Sequence, residues 1–130
     1  MQEGGELVGR MLEAIHRHSV EEAIRICDPD VELTTLFDRI GGPRFRGHQG
    51  VRDWFARVEE LWAFVEVADW RVEDLDDWVL MTGTARLRGR ASPDVIEAEW
   101  AAAGKIADHR FVKFGIYLTR GEAVAAIEAG

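Results

Sequence analysis

Apolar residues recur at steps of three and four through Leu7, Val8, Met11, Leu12 and Ile15, which predicts a helix from about Glu6 to His18. Ser19 and Glu22 then have the form of a capping box opening a second helix. That helix carries Val20, Ala23, Ile24 and Cys27 inward, and Asp28-Pro29 closes it. Val31 to Leu36 alternates as a short strand, residues 38–43 hold two glycines and a proline and read as a loop, and Phe45-Arg46 reads as a return strand. After the turn Gly47-His48-Gln49-Gly50, a second strongly amphipathic pattern places Val51, Trp54, Phe55, Val58, Leu61 and Trp62 on one helical stripe. From there the period is two. Glu66–Leu75 is a strand, Asp76-Asp77 a tight turn, and Trp78–Arg88 a strand with Val79, Met81, Gly83, Ala85 and Leu87 on one face. The 89–94 loop leads to a long strand, Val95–Ala107, a turn at Asp108-His109, a last strand, Arg110–Thr119, and a terminal helix over Gly121–Ala129. Helices followed by hairpin strands, with no linker or repeat, predict one α+β domain over residues 1–130, its helices packed on one face of an antiparallel sheet.

A two-residue turn at Asp108-His109 would pair Ala103 with Phe114, Ala101 with Ile116 and Glu99 with Leu118 on one face of the last hairpin. Alanines beside bulky residues leave unfilled volume there. The opposite face would pair Ile106 with Phe111 and Trp100 with Tyr117. Both faces are apolar, so the expectation is that one lines a pocket and the other, the Trp100/Tyr117 face, makes a homodimer.

Composition narrows the partners. Sixteen basic against 24 acidic residues give a net charge of −8, which disfavours non-specific nucleic-acid binding. The single cysteine, Cys27, rules out an intrachain disulfide, and its place on an apolar stripe makes it a buried structural thiol rather than a nucleophile. His16 and His18 stand two residues apart on a helix, diverge by about 200°, and cannot grip one metal together. No apolar run approaches the ~20 residues that span a bilayer, and the N-terminus lacks the pattern of a secretory signal, so a cytoplasmic protein with no membrane partner is expected. Phosphate-loop, dinucleotide, zinc-hydrolase and serine-hydrolase signatures are missing, and no spacing implies a metal or an organic cofactor.

Four segments in order, Cys27-Asp28-Pro29-Asp30-Val31-Glu32, Phe45 through Arg52, Ser92 through Glu97, and Asp108 through Val112 with Tyr117 through Arg120, make the chain resemble the SnoaL-like proteins. These are the polyketide cyclase and ketosteroid isomerase branch of the nuclear transport factor 2-like superfamily. The resemblance implies a cone-shaped, cystatin-like curved sheet against three N-terminal helices, a hydrophobic pocket within it, and a short C-terminal helix. Ketosteroid isomerases use an aspartate base with a tyrosine and a protonated aspartate. Laid on this chain, those positions fall at or near Leu33, Met11 and Ala101, all apolar, and the histidine that related cyclases carry on the last strand falls at Phe114. The Arg/Asp pair of limonene-epoxide-hydrolase-like members has no convincing counterpart around Gly83–Arg86.

Two functions follow as expectations. One is a binder of a small apolar molecule, lined by Met11, Ile15, Leu33, Thr35, Trp54, Val58, Ala101, Ala103, Phe114 and Ile116. The other is a SnoaL-like isomerase, cyclase or dehydratase acting on a polyketide- or steroid-like substrate. Its general acid/base would be Glu97 or Glu99, because a carboxylate held against an apolar wall has a raised pKa. Asp38 and Arg39 could rim the pocket, and His48 reads as a capping or surface histidine.

Overall fold

A computed structural model describes residues 3–41 and 44–130, the side chains of Arg39 and Ile40 excepted. Helix α1 spans Glu3–Arg17 and buries Leu7, Val8, Met11, Leu12, Ala14 and Ile15, the stripe its spacing predicts. Helix α2 is short, Val20–Arg25. Its N-cap is Ser19, but the serine side chain makes no capping bond. Glu22 instead takes the guanidinium of Arg10 at 2.8 Å and that of Arg25 at 3.1 Å, so a charge-assisted pairing has displaced the expected capping box. Asp28-Pro29 does not end this helix. It lies inside strand β1, Cys27–Thr34, so Cys27 is the first residue of a strand.

A 3₁₀ turn over Leu36–Ile40 follows, with the Thr35 hydroxyl accepting from the Phe37 N–H at 3.2 Å. Strand β2 is Phe45–Arg46, and helix α3 runs Gly47–Leu61. Gly47 sits at φ +70°, and a Cβ there would come 2.9 Å from the Pro29 carbonyl oxygen, so the corner into α3 requires glycine twice over. Helix α3 ends one residue earlier than its apolar stripe suggests. Trp62 adopts extended dihedrals and starts strand β3, Trp62–Leu75. The freed carbonyls at the end of α3 are met by Arg90, whose N–H donates to Leu61 O at 3.2 Å and whose Nε–H donates to Glu59 O. Strands β4, Trp78–Gly89, β5, Ile96–Ala107, and β6, Arg110–Tyr117, and helix α4, Arg120–Ala129, complete the chain. Among the described residues no helix is long and apolar enough to cross a membrane.

The six strands form one sheet in the order β2-β1-β6-β5-β4-β3. It is antiparallel except at β1–β6, which run parallel, a departure from the all-antiparallel sheet expected. Bulges curl it. In β3 the register shifts between Ala68 and Arg71, with Asp69 at φ +52°. The extra residue returns Trp70 and Val72 to the face that already carries Val65 and Val67, so one wall continues past the bend.

The β5–β6 hairpin holds the correction that matters most. The turn is as expected, with Asp108 and His109 at φ +51° and +65°, and Ile106 pairs with Phe111. The register then slips: Lys105 pairs with Lys113, Gly104 with Phe114, Ala103 with Gly115, Ala102 with Ile116 and Ala101 with Tyr117. Val112 is the bulged residue. The extra residue exchanges the faces of β6 beyond it: Phe114 and Ile116 join Phe111 on the concave side and Tyr117 turns to the convex side. β5 itself alternates without a break, so Trp100, Ala102 and Ile106 face the concave core, while Ala101 and Ala103 lie on the convex side with Leu80 and Ala123 beneath α4, alongside Trp78, Tyr117, Val124 and Ile127. Trp100 faces the concave side and Tyr117 the convex side. They share no surface, so a dimer built on a common Trp100/Tyr117 face has no such face to use.

Candidate functional site

The concave side of the sheet, closed by α1 and α3, encloses a cavity of about 270 Å³. Its floor is the sheet: Trp62, Val65 and Val67 from β3, Ala85 and Leu87 from β4, Trp100 from β5 and Ile116 from β6. Its roof is Ile15 of α1 with Trp54, Val58 and Leu61 of α3, at the helical spacing that makes α3 amphipathic. Leu36 and Phe37 of the 3₁₀ turn close one end. Leu36 and Leu61 remain 38% and 47% exposed and mark the mouth.

Each wall is held from behind. Trp54 is buried and meets Phe55 edge-on at 5.5 Å and Phe114 at 6.4 Å. Phe37 meets Phe45 edge-on at 6.1 Å, and the Thr35 cap orients the turn that presents it. His16 donates from Nδ1 to the Val65 carbonyl at 3.0 Å, and His48 from Nε2 to the Cys27 carbonyl at 2.9 Å. A carbonyl can only accept, so the proton sits on the named nitrogen in each case. Both histidines tie a helix to a strand.

All thirteen wall side chains are apolar, and none of them titrates. Of the ten ligand-binding residues expected, Ile15, Trp54, Val58 and Ile116 line this cavity. Met11, Leu33 and Phe114 are packed into the core behind it, Thr35 is buried as the cap of the turn, and Ala101 and Ala103 lie under α4. Glu97 and Glu99 are exposed on the convex side, not in the pocket. Glu97 joins a surface row in which Arg86 lies 3.4 Å from it and 3.6 Å from Glu66. Both positions follow from the unbroken alternation of β5, in which Trp100, Ala102 and Ile106 face inward and the odd-numbered residues outward.

The wall residues not anticipated include Leu87, Ala85 and Trp100. The alternation of β4 did place Ala85 and Leu87 on one apolar face, and that face is the cavity floor. Trp100 shares its face of β5 with Ile106, as the alternation predicts, but both faces of the hairpin are apolar and only the packing of the helices makes this one the inner face.

Among the described residues one buried side-chain polar atom has no hydrogen-bond partner, Oδ1 of Asp38, the residue directly after Phe37. Such an atom costs about 1–3 kcal/mol and calls for a reason. Asp38 lies close enough to Tyr117 to act on its phenol. Burial raises the pKa of that phenol, a hydrogen bond to Thr34 lowers it, and the Asp38 charge raises it further. The side chain of Arg39, the other expected rim residue, lies outside the described residues.

Cys27 is buried, and its thiol pKa is pushed up to about 12, first by burial and then by the charge of Asp28. The thiolate is the reactive form. In the native protein at pH 8, Ellman's reagent should therefore label Cys27 at least a hundredfold more slowly than in 6 M guanidinium chloride, and comparable rates would refute the burial.

A family model for the SnoaL-like domain matches residues 8–114. No curated protein matches the sequence. An NTF2-like protein of unknown function from Burkholderia pseudomallei superposes with a TM-score of 0.80 at 20% identity, over 96% of this chain and 97% of its own. TerC, co-crystallised with polyporic acid, gives 0.79 at 15% identity, over 98% and 99%. A candidate polyketide cyclase from Xanthomonas campestris pv. campestris gives 0.75 at 18% identity, over 95% and 96%. At these identities the superpositions establish the cone-shaped NTF2-like fold, and the family match, spanning most of the chain, places this protein in the SnoaL-like family.

Proposed function

We propose that this protein binds a small, apolar, ring-bearing molecule in the concave cavity, without the catalytic residues used by ketosteroid isomerases. The observation that carries this reading is a wall of thirteen apolar side chains around about 270 Å³. An apolar cavity of about 150 Å³ stays dry and takes up benzene, so this one has room for a guest of one to two rings. Three tryptophans in the wall favour flat guests by stacking. TerC, of the same fold, was crystallised with polyporic acid, which is consistent with an aromatic guest. Trp54, Trp62 and Trp100 also supply the assay. Titration with N-phenyl-1-naphthylamine should quench tryptophan emission and enhance probe emission with a dissociation constant in the micromolar range. No change in either signal up to the probe's solubility limit would overturn the reading.

The orphaned carboxylate oxygen favours a second reading, an enzyme of the isomerase or cyclase kind in which Asp38, rather than Glu97 or Glu99, moves a proton next to a carbonyl. Wild-type protein should then exchange the α-hydrogens of 2-tetralone with D₂O faster than buffer does, as read by proton NMR. Asp38→Asn should abolish the excess rate while Glu97→Gln and Glu99→Gln keep it. Exchange at the buffer rate in the wild type would remove the enzymatic reading and leave the binding one.

A further inference from the structure

We infer that Arg57 at the cavity mouth selects guests bearing an anionic group, so that the ligand class is an aromatic or alicyclic acid with its ring inside and its carboxylate or enolate at the rim. This rests on the cavity being a binding site. The wall can satisfy no charge, so any charged end of a guest must stay at the mouth. Arg57 is placed there by α3, one residue before the wall residue Val58 and one turn before Leu61.

Its guanidinium carbon stands 5.9 Å from the centroid of Phe37, itself part of the wall. It reaches that ring although two carboxylates lie within helical reach. Asp53, four residues earlier, is engaged by the Gln49 amide at 3.0 Å, and Glu60, three residues later, makes no ion pair with it. By contrast, Arg10, Arg17, Arg25, Arg86 and Arg120 each have a carboxylate within 4.0 Å. A guanidinium lying on a ring uses its face and leaves N–H edges free, the geometry that grips a carboxylate from the side. In a chain of net charge −8 a general attraction for anions is not available, so selectivity for an acid needs a local cation such as this one.

The test compares 2-naphthoate with the uncharged 2-naphthamide, which presents a similar ring and carbonyl, as competitors of N-phenyl-1-naphthylamine at low salt. Wild-type protein should bind the acid about three- to tenfold more tightly than the amide, the range for a partly exposed charged pair. Arg57→Met should erase that preference by weakening the acid alone, and Arg57→Lys should restore part of it. Arg52→Met, on the same helix, should leave the preference intact. Equal affinities in the wild type, or a preference that survives Arg57→Met, would overturn the inference while the cavity reading stands. If the neutral probe does not bind either, both fall.

Discussion

Ala85→Phe should lower the affinity for N-phenyl-1-naphthylamine at least tenfold while leaving the melting temperature unchanged or slightly higher. Ala85 is buried in β4 at the cavity floor, opposite Val67 on β3 and Ala98 on β5, and its Cβ belongs to the wall. A benzyl ring grown from that position enters empty space instead of displacing packed atoms. Since about 150 Å³ suffices for benzene, the ring would take up more than half of the roughly 270 Å³ present. Filling a void stabilises or is neutral, whereas inserting carbon into a tight core costs about 1–3 kcal/mol through strain. The two readouts therefore separate the cases. Lost binding with a preserved melting curve places the guest on this floor. Unchanged affinity in a folded variant would place the guest elsewhere and sink the assignment.

Phe111→Ala should cost about 3–5 kcal/mol, the range for truncating a buried phenylalanine. For a domain of this size that is a fall in melting temperature on the order of 10–20 °C. Phe111 is wholly buried, packs against Phe114 at 5.1 Å between ring centroids, and lies against Gly104, where a Cβ would come within 2.4 Å of the ring. It is also the last residue before the β6 bulge, so its ring pins the register on which the cavity depends. The variant should lose probe affinity together with stability, in contrast to Ala85→Phe. A fall of less than about 3 °C by calorimetry would mean that the ring and the glycine are not in the contact described.

The two proposed substitutions bracket what could be read from the chain. Element positions were legible because they depend on short-range periodicity: α1, α3, the β3–β4 and β5–β6 turns and α4 lie close to where steps of three and four, alternation and turn residues put them. The errors at Cys27 and Trp62 came from apolar residues that fit either period. An apolar run joining a helix to a strand does not say where the change occurs, and here Arg90, from a distant loop, settles the end of α3 by taking its last carbonyls.

The sequence by itself determined the α+β class and the family likeness. Which residues look into the hollow was decided by tertiary structure alone, because both faces of the last hairpin are apolar and a single extra residue exchanges the faces of the strand that carries it. Val112, unmarked by glycine or proline, bulges out of β6, bringing Phe114 and Ile116 inward beside Phe111 and turning Tyr117 outward. Asp69 bends β3 without exposing its wall. A bulge depends on how two strands fit the curvature of a whole sheet, and no local pattern encodes that fit.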